Sequence, residues 1–165
     1  MKIDVSKINR TDVKSLENNP GNYRWWAKYN DTKILLGDDF SSLKSVLKAE
    51  KLDNETIYLI YVGESMKLKN RINGYFKGRG SFADTVRSIS NDQVSFESFY
   101  FEFQYDNSDK PGPTISKIES FDLFKYNIPL NLESNEQDKF YEYHKKVSAI
   151  RKEKREQRKL LKIKQ

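Results

Sequence analysis

The sequence predicts one α+β domain, with a small central sheet flanked by helices and a long C-terminal helix. Segments rich in aromatic and β-branched residues recur along the chain, and such segments are typical of strands. Between them lie segments whose apolar residues follow helical spacing. A chain of 165 residues is long enough for one compact domain with a core and short for two.

The first half of the chain predicts two helices and three strands. In chain order we expect a short helix over 11–18 capped by Thr11 or Asp12, a strand over 22–28, a turn and a hairpin partner over 33–36, a helix over 38–52, and a strand over 56–62. The helix over 38–52 follows from Leu43, Val46 and Leu47 at helical spacing, behind Asp39 or Ser41 as a cap.

The second half predicts three further helices and a strand, then a long terminal helix. In chain order we expect helices over 66–76 and 82–90, a strand over 98–105, a helix over 114–126, an extended segment over 128–130, and a helix from 137 to about 164. Strict alternation in the strand places Phe99, Phe101, Phe103 and Tyr105 on one face, which predicts a half-buried strand.

Positive charge is concentrated in two places. The net charge is +6, but ten Lys and Arg against two Glu after His144 give residues 145–165 a surplus of eight. A second excess lies over 67–87, where six basic residues face Asp84 alone. Both features favour a polyanionic partner, which for a protein is most often nucleic acid. We therefore predict a domain over 1–150 and a basic helical arm over 151–165, too poor in apolar residues to pack on the body.

The composition excludes several kinds of site. The chain has no cysteine and a single histidine, His144, so it can form neither disulfides nor sites with several histidine ligands, and histidine-based triads are not expected. There is no apolar run near twenty residues and no signal-peptide pattern at the N-terminus. We expect a cytoplasmic protein without a membrane partner or a small-molecule cofactor; the sequence does not indicate its oligomeric state.

Two segments together resemble the GIY-YIG endonuclease superfamily. NPGNYRWW over 19–26 and IYVGES over 60–65, followed by Leu68 and Arg71, resemble its two signature strands and helix. The stretch YVGESMKLKNRINGYF is similar to the same segment of bacterial nucleotide-excision-repair incision nucleases. The resemblance covers about 19–132 and departs from the family pattern in three ways: an insertion at about 30–55, Glu64 directly after YVG, and no histidine near the site.

The resemblance implies a small, mostly antiparallel sheet flanked by helices and a metal-dependent DNA endonuclease. The implied catalytic residues are Tyr23, Tyr61, Arg71, Glu119 and Asn131, with Glu119 holding Mg²⁺ or Mn²⁺. A restriction or mobile-element enzyme is the first interpretation, and a repair or structure-specific nuclease is the alternative. A DNA-binding module without turnover, and a structural protein with a basic tail, are rivals from other classes.

The two tyrosines have different roles in this hypothesis, and each also has a structural interpretation. Tyr61, at the end of the central strand, could act as a general base if Lys69, Arg71 or a metal lowered its pKa from about 10. Tyr23 could position the water or a phosphate oxygen. The alternative for both is packing in an aromatic sheet.

The remaining candidates could bind phosphate or metal. Arg71 offers a planar fork for the scissile phosphate, although an exposed helical arginine is usually only solvated. Glu119 lies on a helical face expected to be buried, where a carboxylate needs a partner such as a divalent metal, but it also fits a capping box with Ser116. Asn131 supports the site or is only a turn residue. We predict that DNA is bound by Lys67, Lys69, Tyr75, Lys77, Arg79, Arg87, Arg151, Lys152, Arg155 and Arg158.

Overall fold

A computed structural model, which describes residues 6–7, 9–106, 128–131 and 140–164, confirms the α+β fold with its antiparallel sheet, flanking helices and long C-terminal helix. The strands are β1 (Ser6–Lys7), β2 (Gly21–Lys28), β3 (Ala49–Leu52), β4 (Glu55–Ser65) and β5 (Tyr100–Tyr105), in the spatial order β1-β5-β2-β4-β3. The helices are α1 (Arg10–Val13), α2 (Tyr29–Leu36), α3 (Phe40–Leu43), α4 (Leu68–Phe76), α5 (Ser81–Ser90) and α6 (Tyr141–Ile163).

The middle strand β2 carries the core on both of its faces. It pairs antiparallel with β4 on one side and with β5 on the other. Trp25 is fully buried among aromatic rings, the nearest being Phe101 at 4.9 Å between ring centroids. Trp26 is buried in a second cluster with Ile57, Leu59, Val62 and Ile128. Both faces of β2 are therefore covered. Because the apolar content of the chain is low, large aromatic side chains supply much of this core.

The inserted segment contains a helix where a hairpin strand was predicted. Residues 33–36 belong to α2, not to a strand, and Leu35 and Leu36 are buried. A short apolar run does not distinguish a strand from a buried helix, which is why the sequence pattern misled. Thr32 donates its hydroxyl hydrogen to the Lys28 carbonyl at 2.8 Å, and Gly37, at a φ of 56°, ends the helix.

The helix predicted over 38–52 is also much shorter than expected. Only α3 is α-helical, between single 3₁₀ turns at Gly37–Asp39 and Lys44–Val46, and the last residues of the range form β3. Asp53 and Asn54 both have positive φ, of 49° and 66°. Two such residues close a tight hairpin, so the turn draws β3 into the sheet beside β4.

The N-terminal helix is shorter than the predicted 11–18 and begins at a different cap. Asn9 accepts hydrogen bonds from the backbone of Thr11 and Asp12, at 2.9 and 3.1 Å, and the Asp12 carboxylate accepts one from the Asn9 backbone at 3.1 Å. This reciprocal capping box starts α1 at Arg10, so Thr11 and Asp12 lie inside the helix instead of capping it.

One acidic residue attaches α6 to α5. Asp84 is 3.1 Å from both Arg151 and Arg158 and 3.5 Å from Arg155, and the Arg87 side chain on its own helix lies at 3.9 Å. We call these four arginines the arginine cluster. The prediction that residues beyond 150 do not pack on the body is therefore wrong for the part of α6 up to Arg158. There, ion pairs attach the helix in place of apolar contacts. None of the described helices, α6 included, is long and apolar enough to cross a membrane.

The ion pairs of Asp84 predict an acid-sensitive stability. Burial alone raises the pKa of Asp84, but hydrogen bonds from Arg158 and Arg151 lower it below its ordinary value of 3.8. The carboxylate therefore stabilises the fold above that ordinary value, and this contribution disappears as the pH falls through about 4 and below. We expect Asp84→Asn to lower the free energy of unfolding by about 1–3 kcal/mol at pH 7, measured by urea denaturation.

Asp38→Asn is the matched control, because Asp38 is exposed and lies in the 3₁₀ turn before α3. The difference between wild type and Asp84→Asn should shrink as the pH falls from 5 to 3. A difference that stays constant over this range would contradict the ion-pair account.

Candidate active site

Three tyrosine side chains meet where α4 packs against the sheet. Tyr23 extends from β2 and Tyr75 from α4, and their hydroxyl groups are hydrogen-bonded to each other. The ring centroids of these two residues are 5.8 Å apart, and the Tyr61 ring lies 6.3 Å from that of Tyr23. Tyr23 and Tyr75 are almost fully buried, whereas Tyr61 is half-buried. We call these three residues the tyrosine cluster, and Tyr61 is its most accessible member.

Two glycines make this arrangement possible by their lack of a side chain. Gly63 is the register partner of Tyr23, and a Cβ atom at this position would collide with the Tyr23 ring. Gly21 approaches β5 so closely that a Cβ atom would lie 2.6 Å from the Gln104 carbonyl oxygen. The glycines of the two signature segments thus provide space for close packing.

The position of Tyr61 is set by α5. Its ring stacks on Phe82 with the centroids 4.1 Å apart and the planes only 4° from parallel. Phe82 is buried in the first turn of α5 and cannot give way without disturbing the core. The stacking therefore fixes the plane of the Tyr61 ring at the boundary between core and solvent.

Arg71 lies one helical turn before Tyr75 and faces solvent. Partial burial lowers the pKa of Arg71, but the hydroxyl oxygens of Tyr23, Tyr75 and Tyr61 and a hydrogen bond to Tyr75 outweigh it, so the pKa is raised above its ordinary value. The guanidinium is therefore charged at any physiological pH and is coupled electrostatically to all three tyrosines.

The protonation state of Tyr23 differs from what a catalytic base requires. Burial raises the pKa of Tyr23 well above its ordinary value, and the neighbouring Tyr75 and Tyr61 raise it further. Its hydroxyl therefore stays protonated and can only exchange hydrogen bonds with its neighbours. Of the two tyrosines predicted to be catalytic, Tyr61 is the more exposed to solvent.

An open cleft runs along α4 beside Arg71. It has a volume of about 550 Å³ and is lined by Ser65, Met66, Lys67, Asn70, Arg71, Gly74, Arg79 and Gly80. Among the described residues, the charged ones that line the cleft, Lys67, Arg71 and Arg79, are all positive, and Ser65 and Asn70 can donate hydrogen bonds to an anion. The cleft thus brings together three of the predicted phosphate-binding residues, Lys67, Arg71 and Arg79.

Other residues predicted to bind DNA lie elsewhere. The Lys69 ammonium donates a hydrogen bond to the Lys14 carbonyl at 3.1 Å, towards α1. Tyr75 is only 2% exposed, so its hydroxyl belongs to the tyrosine cluster and not to the surface. Lys77 and Lys152 are exposed. The four that form the arginine cluster surround Asp84.

Asn131 supports β4 with both halves of its amide. Its Oδ1 accepts a hydrogen bond from the Val62 backbone N–H at 2.9 Å, and its Nδ2 donates one to the Val62 carbonyl at 2.9 Å. The Leu130 N–H donates to the Ile60 carbonyl at 3.0 Å, while His144 bonds the Pro129 carbonyl at 2.7 Å. These bonds fix β4 on either side of Tyr61, which gives Asn131 a positioning role. Glu119 and its predicted helix lie outside the described residues.

Sequence reasoning assigned Tyr75 to DNA binding instead of to the tyrosine cluster, and it missed Phe82. The spacing of four residues between Arg71 and Tyr75 was a usable signal, because side chains at i and i+4 share a helical face. No comparable signal marked Phe82, whose contact with Tyr61 joins positions distant in sequence.

Comparisons with known proteins give no match: no family model, curated protein or solved structure is significantly similar to the chain. Within the described part of the chain, no group of three or more acidic or histidine side chains is placed to hold a metal ion. The proposed metal therefore depends on Glu119.

The close approach at Gly63 yields a structural prediction. A methyl group there must displace the buried Tyr23 ring, so Gly63→Ala should lower the free energy of unfolding by about 1–3 kcal/mol in urea denaturation. Gly74→Ala is the control, because its nearest atom outside the helix backbone is the Arg79 Cβ at 3.8 Å. That variant should be unchanged or more stable by up to about 1 kcal/mol, since alanine favours helix. Equal stability of Gly63→Ala and wild type would rule out the described packing of Tyr23.

Proposed function

We propose that this protein is a metal-dependent DNA endonuclease of the GIY-YIG type, which hydrolyses phosphodiester bonds at the tyrosine cluster. The observation that carries the proposal is the grouping of Tyr23 and Tyr61, from two neighbouring strands, with Arg71, which lines a cationic cleft. These are three of the five residues that the family resemblance implies. We place the activity in the cytoplasm.

Binding of the substrate begins with the phosphate. Arg71 contacts the non-bridging oxygens of the scissile phosphate with its planar fork, and Lys67 and Arg79 hold phosphates in the same cleft. Since the guanidinium is charged and already oriented by Tyr75, little rearrangement is needed when negative charge develops on the phosphoryl group.

The attack on phosphorus requires removal of a proton from water. Tyr61, in its phenolate form, accepts that proton at its hydroxyl oxygen while the water oxygen bonds to phosphorus and the ester oxygen leaves. Stacking on Phe82 holds this oxygen at the boundary between core and solvent. Tyr23 remains protonated and, with Tyr75, maintains the hydrogen bonds that orient Arg71.

A divalent metal completes the proposal. Glu119 would hold Mg²⁺ or Mn²⁺, which would supply charge neutralisation on the phosphoryl oxygens and assistance to the leaving oxygen. Glu119 is the one protein ligand that we propose for it, which is compatible with Mg²⁺ because this ion usually keeps several of its waters.

The biological role within this activity is a separate choice. A restriction or mobile-element nuclease cleaves ordinary duplex DNA at a defined sequence, whereas a repair or structure-specific nuclease prefers damaged or branched substrates. Comparing cleavage of a plasmid with cleavage of bubble and branched oligonucleotides distinguishes the two. A module that binds DNA without cleaving it would bind all of these substrates and leave every one intact.

The role of Tyr61 is tested by removing one oxygen atom. Tyr61→Phe should keep the stacking on Phe82 and the fold, but it should lower the rate of plasmid nicking in Mg²⁺ by roughly 100-fold or more, because the base is removed. The rate is measured at saturating protein, so that changes in DNA affinity do not contribute.

Tyr58→Phe is the matched control, since Tyr58 is a buried tyrosine on the same strand and packs against Phe40. It should cleave at the wild-type rate. Nicking by Tyr61→Phe at the wild-type rate would show that Tyr61 has only a structural role.

A further inference from the structure

The arginine cluster contains more positive charge than its single carboxylate can neutralise. Asp84 Oδ2 contacts Arg151 and Arg155, and Oδ1 contacts Arg158 and, more distantly, Arg87. Four guanidinium groups against one carboxylate leave three excess positive charges within the cluster. Held at such short range, these charges repel one another unless an anion lies among them.

The members of the cluster differ in how much of each side chain faces solvent. Arg151 is only 11% exposed and is committed to Asp84, whereas Arg87, Arg158 and Arg155 are 41%, 48% and 57% exposed. A guanidinium has five N–H donors. Arg155 uses one of them in a hydrogen bond to Asp84, and Arg158 donates to both Asp84 and Ser88. The three exposed arginines therefore have donors available for a ligand.

The cluster lies close to the tyrosine cluster through α5. Phe82 stacks on Tyr61, and Asp84, two residues further on, points to the opposite side of the same helix. The two clusters therefore lie on opposite sides of one helix, whose diameter with side chains is about 10–12 Å.

Arg87 connects the two regions at the surface. The Arg87 guanidinium lies against the backbone of Gly78. A Cβ atom at Gly78 would be only 2.5 Å from a nitrogen of this guanidinium. Gly78 directly precedes Arg79, which lines the cleft beside Arg71. Positive side chains thus continue from the cleft to the arginine cluster.

We propose that Arg87, Arg155 and Arg158 form a second phosphate-binding site, which takes the sugar–phosphate backbone of DNA a few nucleotides from the bond held at Arg71. Asp84 and the buried Arg151 hold the three arginines in place, and the DNA phosphates neutralise the excess charge. This inference rests on the proposed function for the identity of its ligand. The second site touches no reacting atom, so it contributes to affinity and not to the chemical step.

The test measures DNA binding without cleavage. Wild type and the Arg155→Gln/Arg158→Gln variant are titrated with a fluorescein-labelled 30-base-pair duplex in EDTA at several salt concentrations. We expect weaker binding and a plot of log affinity against log salt that is flatter by about 0.9 for each phosphate that the variant no longer neutralises.

The matched control removes the same charge from the same helix. Lys159→Gln/Lys162→Gln changes two exposed lysines near the end of α6, beyond the cluster. If its salt slope falls as much as that of the arginine variant, the effect is one of general charge and the second site is wrong. An unchanged slope in the arginine variant overturns it equally.

The Arg155→Gln/Arg158→Gln substitution could also detach α6 from α5, and a lower melting temperature would reveal this. A second variant is therefore needed. Arg155→Lys/Arg158→Lys keeps the charge but removes the planar fork, so affinity should fall while the salt slope stays. Wild-type affinity in this variant overturns the proposal. So does binding of phosphatidylserine vesicles through the same arginines as tightly as DNA.

The failure of this inference and that of the proposed function have different signatures. A protein that binds DNA through the two arginines but does not cleave it has the second site without the nuclease activity. A protein that nicks DNA with an unaltered salt slope has the activity without the second site.

Discussion

The hydrogen bond between the hydroxyls of Tyr23 and Tyr75 joins the middle strand of the sheet to α4, and the site depends on it. It requires the Tyr23 ring to lie across β4, which only a glycine at position 63 permits. It also fixes Tyr75, which in turn hydrogen-bonds Arg71. An interaction in the buried core thereby orients an arginine at the surface, beside a cleft that Lys67 and Arg79 also line.

The positive charge of the chain is used in two ways. Arg151, nearly buried, and its neighbours attach α6 to α5 through Asp84, so part of the basic C-terminal segment is structural. Lys67, Arg71 and Arg79 are gathered along the cleft. We propose that the exposed members of the arginine cluster also bind a polyanion, because one carboxylate holds them together without neutralising them. In that proposal, removal of Asp84 affects both stability and polyanion binding.

Much of the fold was readable from local patterns, and the errors have physical causes. The β2, β4 and β5 strands, α4, α5 and the long α6 follow from alternation or helical spacing and were predicted within a few residues. The insertion was misjudged because residues 33–36 are apolar in either conformation and because the hairpin turn at Asp53 and Asn54 overrides helical spacing. Tyr23, Tyr61 and Arg71 were grouped in one site because their segments resemble those of a known family. The Phe82 stacking and the Asp84 ion pairs join residues distant in sequence, which no local pattern reveals.

The central claim is that Arg71, oriented by the tyrosine cluster, binds the phosphate that is cleaved. The most direct measurement compares nicking of supercoiled plasmid in Mg²⁺ by wild type, Arg71→Ala and Lys33→Ala, an exposed cation on α2. Wild type and Lys33→Ala should nick at similar rates at saturating protein, and Arg71→Ala should be slower by about 100-fold or more while its melting temperature is little changed. Equal rates for wild type and Arg71→Ala, or no nicking by wild type, would contradict the account.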